Sequence, residues 1–178
     1  LVLNIFYVIM KNENCYKLKI FMHISKSKLN DLKFLFTKKE MAERNLFVAE
    51  GWKTCEEALR SDYQIKEIFV LEKFLKNEKY QRIFGEIQRK KIPLFWMTEI
   101  EASKLSNFTT APGVLAVIVR REQTLGAGPI LFFDRINDPG NLGTVMRSAA
   151  WFNWKNLVLS EDSVSAYNYK VVQGSMGA

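Results

Sequence analysis

The sequence predicts an α/β protein in two parts, an N-terminal α/β sandwich followed by the opening of a parallel sheet. Three observations predict it. Between Asn45 and Arg121, short apolar runs alternate with stretches of helical period, the pattern of layered α/β folds. Arg120 to Gly128 (RREQTLGAG) then has the charge and glycine content of a linker. From Pro129 to Ser160 the chain reads strand, polar turn, helix, strand, a βαβ unit that belongs in a parallel sheet with a right-handed crossover. The expected division is an extension over 1–21, a first domain over 22–121, a linker over 122–128 and a second domain over 129–178.

The extension, LVLNIFYVIMKNENCYKLKIF, fits poorly with the rest of the chain. Its apolar start is too short to span a bilayer and no basic segment precedes it. Met22 opens the stretch that reads as folded protein, so residues 1–21 are expected to be upstream or disordered. Ser25 to about Arg44 reads as one basic amphipathic helix, with Leu29, Leu32, Phe36 and Met41 inward and Lys26, Lys28, Lys33, Lys38 and Lys39 outward. Strands are expected at Leu46–Glu50, Ile65–Leu71, Pro93–Met97 and Val114–Arg121, where β-branched and aromatic residues concentrate. Helices are expected at Trp52–Arg60, Glu72 to about Lys90, and Thr98–Leu105. The polar turn-rich stretch from Ser106 to Gly113 either presents Asn107, Thr109 and Thr110 to a ligand or is a plain surface loop.

In the second part, Ile130–Phe133 is a continuous apolar run, the pattern of a buried parallel strand. Asn137, Asp138, Pro139 and Gly140 break it. A helix should begin at Asn141, with Asn141 as N-cap and Leu142, Val145, Ala149 and Phe152 as its buried stripe. Thr144, Arg147, Ser148 and Trp151 lie off that stripe. Asn156–Ser160 is the next strand. A functional loop would thus sit at the carboxyl end of a strand, where open α/β sheets bind ligands. Two readings of Arg147 stay open on physical grounds: it joins the helix terminus to hold an anion, or it is a solvated surface residue beside an ordinary cap. Neither GxGxxG nor GxxxxGK[ST] is present.

The totals set bounds. Of 178 residues, 48% are hydrophobic and 25% charged, as in globular proteins. A net charge of +7 points to a polyanionic partner. Cys15 and Cys55 have neither metal spacing nor a disulfide framework, and both are expected to be reduced in a cytoplasmic protein. With His23 the one histidine, no metal site is expected. Nor is a membrane span, since no stretch of about 20 apolar residues occurs.

The run DPGNLGTVMRSAAWF resembles motif 1 of the SpoU (TrmH-like) RNA 2′-O-ribose methyltransferases, of the trefoil-knotted SPOUT class. Asp138, Pro139, Asn141, Gly143, Thr144, Arg147 and Ala149 carry the likeness in unbroken register. Asn153 stands where glycine is usual, and asparagine also tolerates the left-handed conformation of a helix end. FVAEGWKTCEEAL, with Glu50 and Gly51, resembles the substrate-binding domain that precedes the catalytic half in this family. Tyr167, Asn168, Lys170, Val171 and Val172 match the segment after motif 1, with Tyr169 in place of a proline.

The resemblance implies a first domain that binds RNA and the first part of a SPOUT methyltransferase domain. It implies methyl transfer from S-adenosylmethionine to a ribose 2′-hydroxyl of rRNA or tRNA, in a homodimer. Arg147 would act on the hydroxyl and Asn141 would position the arginine or the ribose. Lys26, Lys28, Lys38, Lys39, Thr144 and Lys170 are the candidate RNA contacts, Lys170 being equally a helix-start residue. The family's remaining motifs, a glycine–glutamate loop and an Asn-x-Ser helix start, are not found before Ala178. The cofactor pocket is therefore expected beyond Ala178, in a longer natural protein. Two alternatives stay in view: a non-catalytic RNA-binding module, and an unrelated α/β nucleotide-binding enzyme.

Overall fold

The computed structural model describes residues 5–7, 20–105 and 113–178. The first lobe is a six-stranded mixed sheet, ordered β1-β2-β5-β4-β6-β3. Its strands are β1 (Ile5–Tyr7), β2 (Ile20–His23), β3 (Leu46–Glu50), β4 (Ile65–Leu71), β5 (Leu94–Met97) and β6 (Val114–Val119). β2, β5 and β4 run parallel, while β6 pairs antiparallel with both β4 and β3. Apolar side chains leave both faces of the sheet. One core joins Ile68, Val70 and Ala116 to Cys55 and Leu59 of α3 (Trp52–Arg60) and to Ile83, Phe84 and Ile87 of α5 (Gln81–Arg89). The other joins Phe69, Val117 and Leu115 to Leu29 and Leu32 of α1 (Lys26–Phe34) and to Ala102 and Leu105 of α6 (Glu99–Leu105). The expected sandwich is present, with helices on both sides of one sheet.

Two long helices expected from the sequence are each broken. Ser25–Arg44 divides into α1 and α2 (Lys38–Glu43), because Thr37 caps a new helix, its hydroxyl accepting from the Glu40 amide. The Glu72–Lys90 stretch divides into α4 (Glu72–Leu75), a 3₁₀ turn (Glu78–Tyr80) and α5. Asn77 makes that break by accepting from the Lys79 amide. The sheet also starts before Met22: Ile20 and Phe21 belong to β2, and the Phe21 ring meets Phe84 edge-on at 6.0 Å. Cys15, Asn107, Thr109 and Thr110 lie outside the described residues.

The second lobe holds β7 (Ile130–Phe133) and β8 (Asn156–Leu159), paired in parallel with Ile130 opposite Asn156. Between them runs α7 (Pro139–Trp151), and α8 (Tyr169–Ser175) packs along it. The buried strand expected at 130–133 is half uncovered: Phe132 is 63% exposed. Phe152, placed on the inner stripe by spacing, is 72% exposed, because the helix ends there. The chain leaves α7 through Asn153 at φ 57°, the left-handed conformation that asparagine tolerates. α8 docks on β3, and Val172 enters the first core. Among the described residues no helix is long and apolar enough to cross a membrane.

Candidate active site

The site is built where β7 turns into α7. The helix is started by Asp138, not by Asn141: the Asp138 carboxylate accepts from the Asn141 amide at 2.7 Å. Pro139 at the first helical position has no amide to leave unpaired, and a carboxylate complements the positive end of the helix dipole. The terminus is therefore already neutralised by the chain's own anion, which disfavours the anion-binding reading of these amides. The reading of Asn141 as cap is corrected, and its side chain is left exposed and unused by the helix.

The turn before the helix is fixed from a distance. Arg135, at φ 51°, donates its amide to Ser160 Oγ at 2.8 Å, and Ile136 donates to Ser163 Oγ at 3.2 Å. The two hydroxyls contact each other at 3.0 Å. At the other end of β8, Asn156 is buried; its side chain accepts from the Gly126 amide at 2.9 Å and donates to the Gly126 carbonyl at 3.1 Å. Sequence reasoning missed Ser160, Ser163 and Asn156. Each acts on a partner about 25 or more positions away, which no local pattern reports.

Arg147 lies in the third turn of α7 and is exposed. The acceptor beside it is soft: Nη1 donates to Met176 Sδ at 3.7 Å. No carboxylate among the described residues pairs with it, so the guanidinium keeps its donors for a ligand. Asn141, Thr144 and Ser148 follow at i, i+3 and i+7 and share a face, and Arg147 neighbours Thr144 three positions on. The Thr144 hydroxyl donates back to the Gly140 carbonyl at 2.9 Å, leaving its lone pairs outward. α8 approaches this helix through two glycines. A Cβ on Gly143 would stand 2.9 Å from the Gly174 backbone, so only glycine permits the approach. Lys170 is exposed at the start of α8, its amide donating to the Asn168 cap at 2.9 Å.

The lysines of the first lobe divide. Lys26 is exposed on α1. Lys28 is paired with Glu67 and lies 4.5 Å from the Phe95 ring centroid. Lys39 reaches Glu43 at 3.9 Å. Lys38 crosses to the second lobe and donates to the Glu161 carbonyl at 3.1 Å, beside the Phe36–Tyr169 ring contact at 5.5 Å. Lys38 and the segment bearing Lys170 thus meet at one seam, while Lys28 is engaged by its own lobe.

A cleft of about 610 Å³ opens between the lobes, bordered by α3, β8 and the α7 face carrying Leu142, Met146 and Ala150. A second, small void lies beside Glu50 and Gly113. Neither is bordered by Arg147 or Asn141. Burial raises the Glu50 carboxyl to about 7, and burial likewise pushes the Cys55 thiol up, out of the reactive range. No group of His, Cys, Asp and Glu among the described residues is arranged to hold a metal ion.

Known proteins share both lobes. Residues 48–124 match the family model for RNA 2′-O ribose methyltransferase substrate binding, and residues 128–178 match that of the SpoU rRNA methylase family. A relative from Bacillus subtilis, the 23S rRNA (guanosine(2553)-2′-O)-methyltransferase RlmP, is 34% identical over 152 residues, 85% of this chain and 58% of the relative. The human mitochondrial rRNA methyltransferase 3 is 30% identical over 83 residues, 41% of this chain and 20% of its own. Among solved structures, the SpoU methyltransferase AviRb from Streptomyces viridochromogenes, in complex with AdoMet, superposes with TM-score 0.74 at 20% identity, covering 86% of this chain and 60% of that one. An AdoMet-bound rRNA methyltransferase from Sinorhizobium meliloti gives 0.70 at 21%, covering 86% and 59%. The fold is the α/β fold of these solved structures. The two lobes thus match, in order, the substrate-binding and methylase models of the SpoU (TrmH-like) proteins, and the chain spans about three-fifths of the length of the Bacillus relative and of these two structures.

Proposed function

We propose that the protein methylates a ribose 2′-hydroxyl of RNA with S-adenosylmethionine as methyl donor, rRNA being the RNA that the relatives favour. The observation that carries this reading is Arg147, an exposed guanidinium without a carboxylate partner on the helix that matches motif 1, in a chain whose two lobes match substrate-binding and methylase families in the family's order. The cofactor would supply an electrophilic methyl group. Neither cavity among the described residues is bordered by Arg147 or Asn141. No residue of this chain is therefore assigned to hold it.

The roles of the chain's own residues come from their chemistry. A guanidinium stays protonated in proteins and does not serve as a base. Arg147 instead clamps the phosphate next to the target ribose through its forked donors. It also favours the negative charge that grows on the 2′-oxygen as its proton leaves to solvent. Asn141, exposed on the same helix, orients the ribose, and Thr144 offers lone pairs to the adjacent hydroxyl. A protein that reads the 2′-hydroxyl distinguishes RNA from DNA at that position. We read the assembly as a homodimer, supported by the exposed apolar side chains of Ile130 and Phe132 on β7 and of Trp151 and Phe152 at the end of α7.

The test is methyl transfer from labelled S-adenosylmethionine into 23S rRNA by the intact protein and its Arg147→Ala variant. Arg147→Ala should lose transfer by a factor of about 10² or more with its circular dichroism and melting unchanged, since the side chain is exposed. Transfer near the wild-type rate would sink the assignment.

A further inference from the structure

One group of side chains has no part in the α7 site. At the end of β3 the chain passes through Gly51 into α3, and Trp52 there stacks on Tyr80, with centroids 3.7 Å apart and planes at 16°. Phe74 meets both edge-on, at 5.4 Å and 5.2 Å. The three rings come from α3, α4 and the 3₁₀ turn, and each is half-buried. They close the rim of the first core without being enclosed by it.

The rim is lined with cations. Lys79 Nζ lies 5.6 Å from the Tyr80 centroid and Lys73 Nζ 5.5 Å from that of Phe74. Lys53 and Lys76 are exposed on the adjoining turns of α3 and α4. The carboxylates on the same elements are Glu56, Glu57, Glu72 and Glu78; Glu56 and Glu57 hold Arg60, and Glu99 holds Lys73 at 2.6 Å. Lys53, Lys76 and Lys79 have no ion pair among the described residues. Within the stack, Trp52 Nε1 is buried and has no hydrogen-bond partner among the described residues. A ring cluster that served packing alone would place its indole N–H against an acceptor.

We propose that this rim is a platform for unpaired nucleobases, which holds a single-stranded segment of the RNA substrate outside the α7 site. The proposal rests on the reading of the protein as one that acts on RNA. Stacking on aromatic side chains is available to any base once it leaves a duplex, and the flanking lysines track the backbone phosphates. In a duplex the base faces are covered, so the platform discriminates by strandedness and not by sequence.

The experiment is fluorescence anisotropy of a labelled 12-nucleotide unpaired RNA and of the same RNA annealed to its complement, titrated with the intact protein. The single strand should bind about tenfold more tightly. Tyr80→Leu should weaken single-strand binding by about fivefold or more and leave duplex binding unchanged. Lys76→Glu with Lys79→Glu, both on the surface and neutral toward folding, should weaken it by at least as much and flatten its salt dependence. Equal affinity for both forms would overturn the platform, as would variants that bind like wild type; methyl transfer that persisted in either case would leave the reading of the α7 site standing. Binding of neither RNA would overturn the platform together with the RNA reading on which it rests.

Discussion

β4 and β7 are both short apolar runs in parallel pairings, yet Phe69 of β4 is fully buried and Phe132 of β7 is 63% exposed. β4 has a strand on each side and a helical layer over each face, so all its apolar side chains meet a core. β7 pairs with β8 alone among the described strands. What holds the second lobe is instead the contact of α7 with α8, and the seating of α8 on β3. An apolar run thus reports that a strand can be buried on both faces. Whether it is buried depends on how many neighbours the chain supplies.

The largest test of this difference is a pair of truncations. Phe69→Ala should cost about 3–5 kcal/mol, the transfer of the ring plus the cavity it leaves. Phe132→Ala should cost less than about 0.5 kcal/mol, since most of its ring is in water already. Urea unfolding followed by circular dichroism reads both. Comparable costs would mean that β7 is covered in solution, and the contrast between the lobes would fall.

Much of this is legible in the sequence, for identifiable reasons. Leu46–Glu50, Trp52–Arg60 and Ile65–Leu71 can be read to the residue, because each switch of period coincides with a glycine or a polar break. The breaks at Thr37 and Asn77 escape notice because the apolar spacing runs on through them, although both residues are ordinary cap formers. Asp138 followed by Pro139 carries the signal for the start of α7, and the neighbouring Asn141 obscures it. The exposure of Arg147 is implied by its position off the apolar stripe. The pairing of Trp52 with Tyr80, and of Ser160 and Ser163 with the turn after β7, joins residues far apart in the chain, and no local pattern encodes it.

A second effect belongs to the first lobe. Glu50 is 3% exposed, and burial raises its carboxyl from 4.5 to about 7. Its folded value is the higher one, so the contribution to stability is fully present below about 4.5 and is lost as pH rises through about 7. The loss is about 3 kcal/mol over that window. Glu50→Gln removes the titration, so the variant's stability relative to wild type should rise between about pH 5 and pH 8. Unfolding midpoints in urea across that range are the measurement. A difference that does not change with pH would show that Glu50 has a partner or water that keeps its charge.

The smallest effect probes what holds the second lobe. A Cβ on Gly143 would lie 2.9 Å from the Gly174 carbonyl carbon and 3.0 Å from the Ser175 nitrogen, both backbone atoms that cannot rotate away. The same addition at Gly174 meets nothing closer than 3.5 Å, an ordinary contact with Gly143 Cα. Gly143→Ala should therefore push α8 off α7 and cost about 1–3 kcal/mol, despite the better intrinsic helix propensity of alanine. Gly174→Ala should cost less than Gly143→Ala, because its helix gains the propensity without the clash. Amide exchange in α7 and α8 reads the difference, and it should stay local to them and to the edge of β3 that α8 covers. If Gly143→Ala loosened β4 and β5 as well, the two lobes would share one cooperative core, and the weak cover over β7 would be no measure of how the second lobe is held.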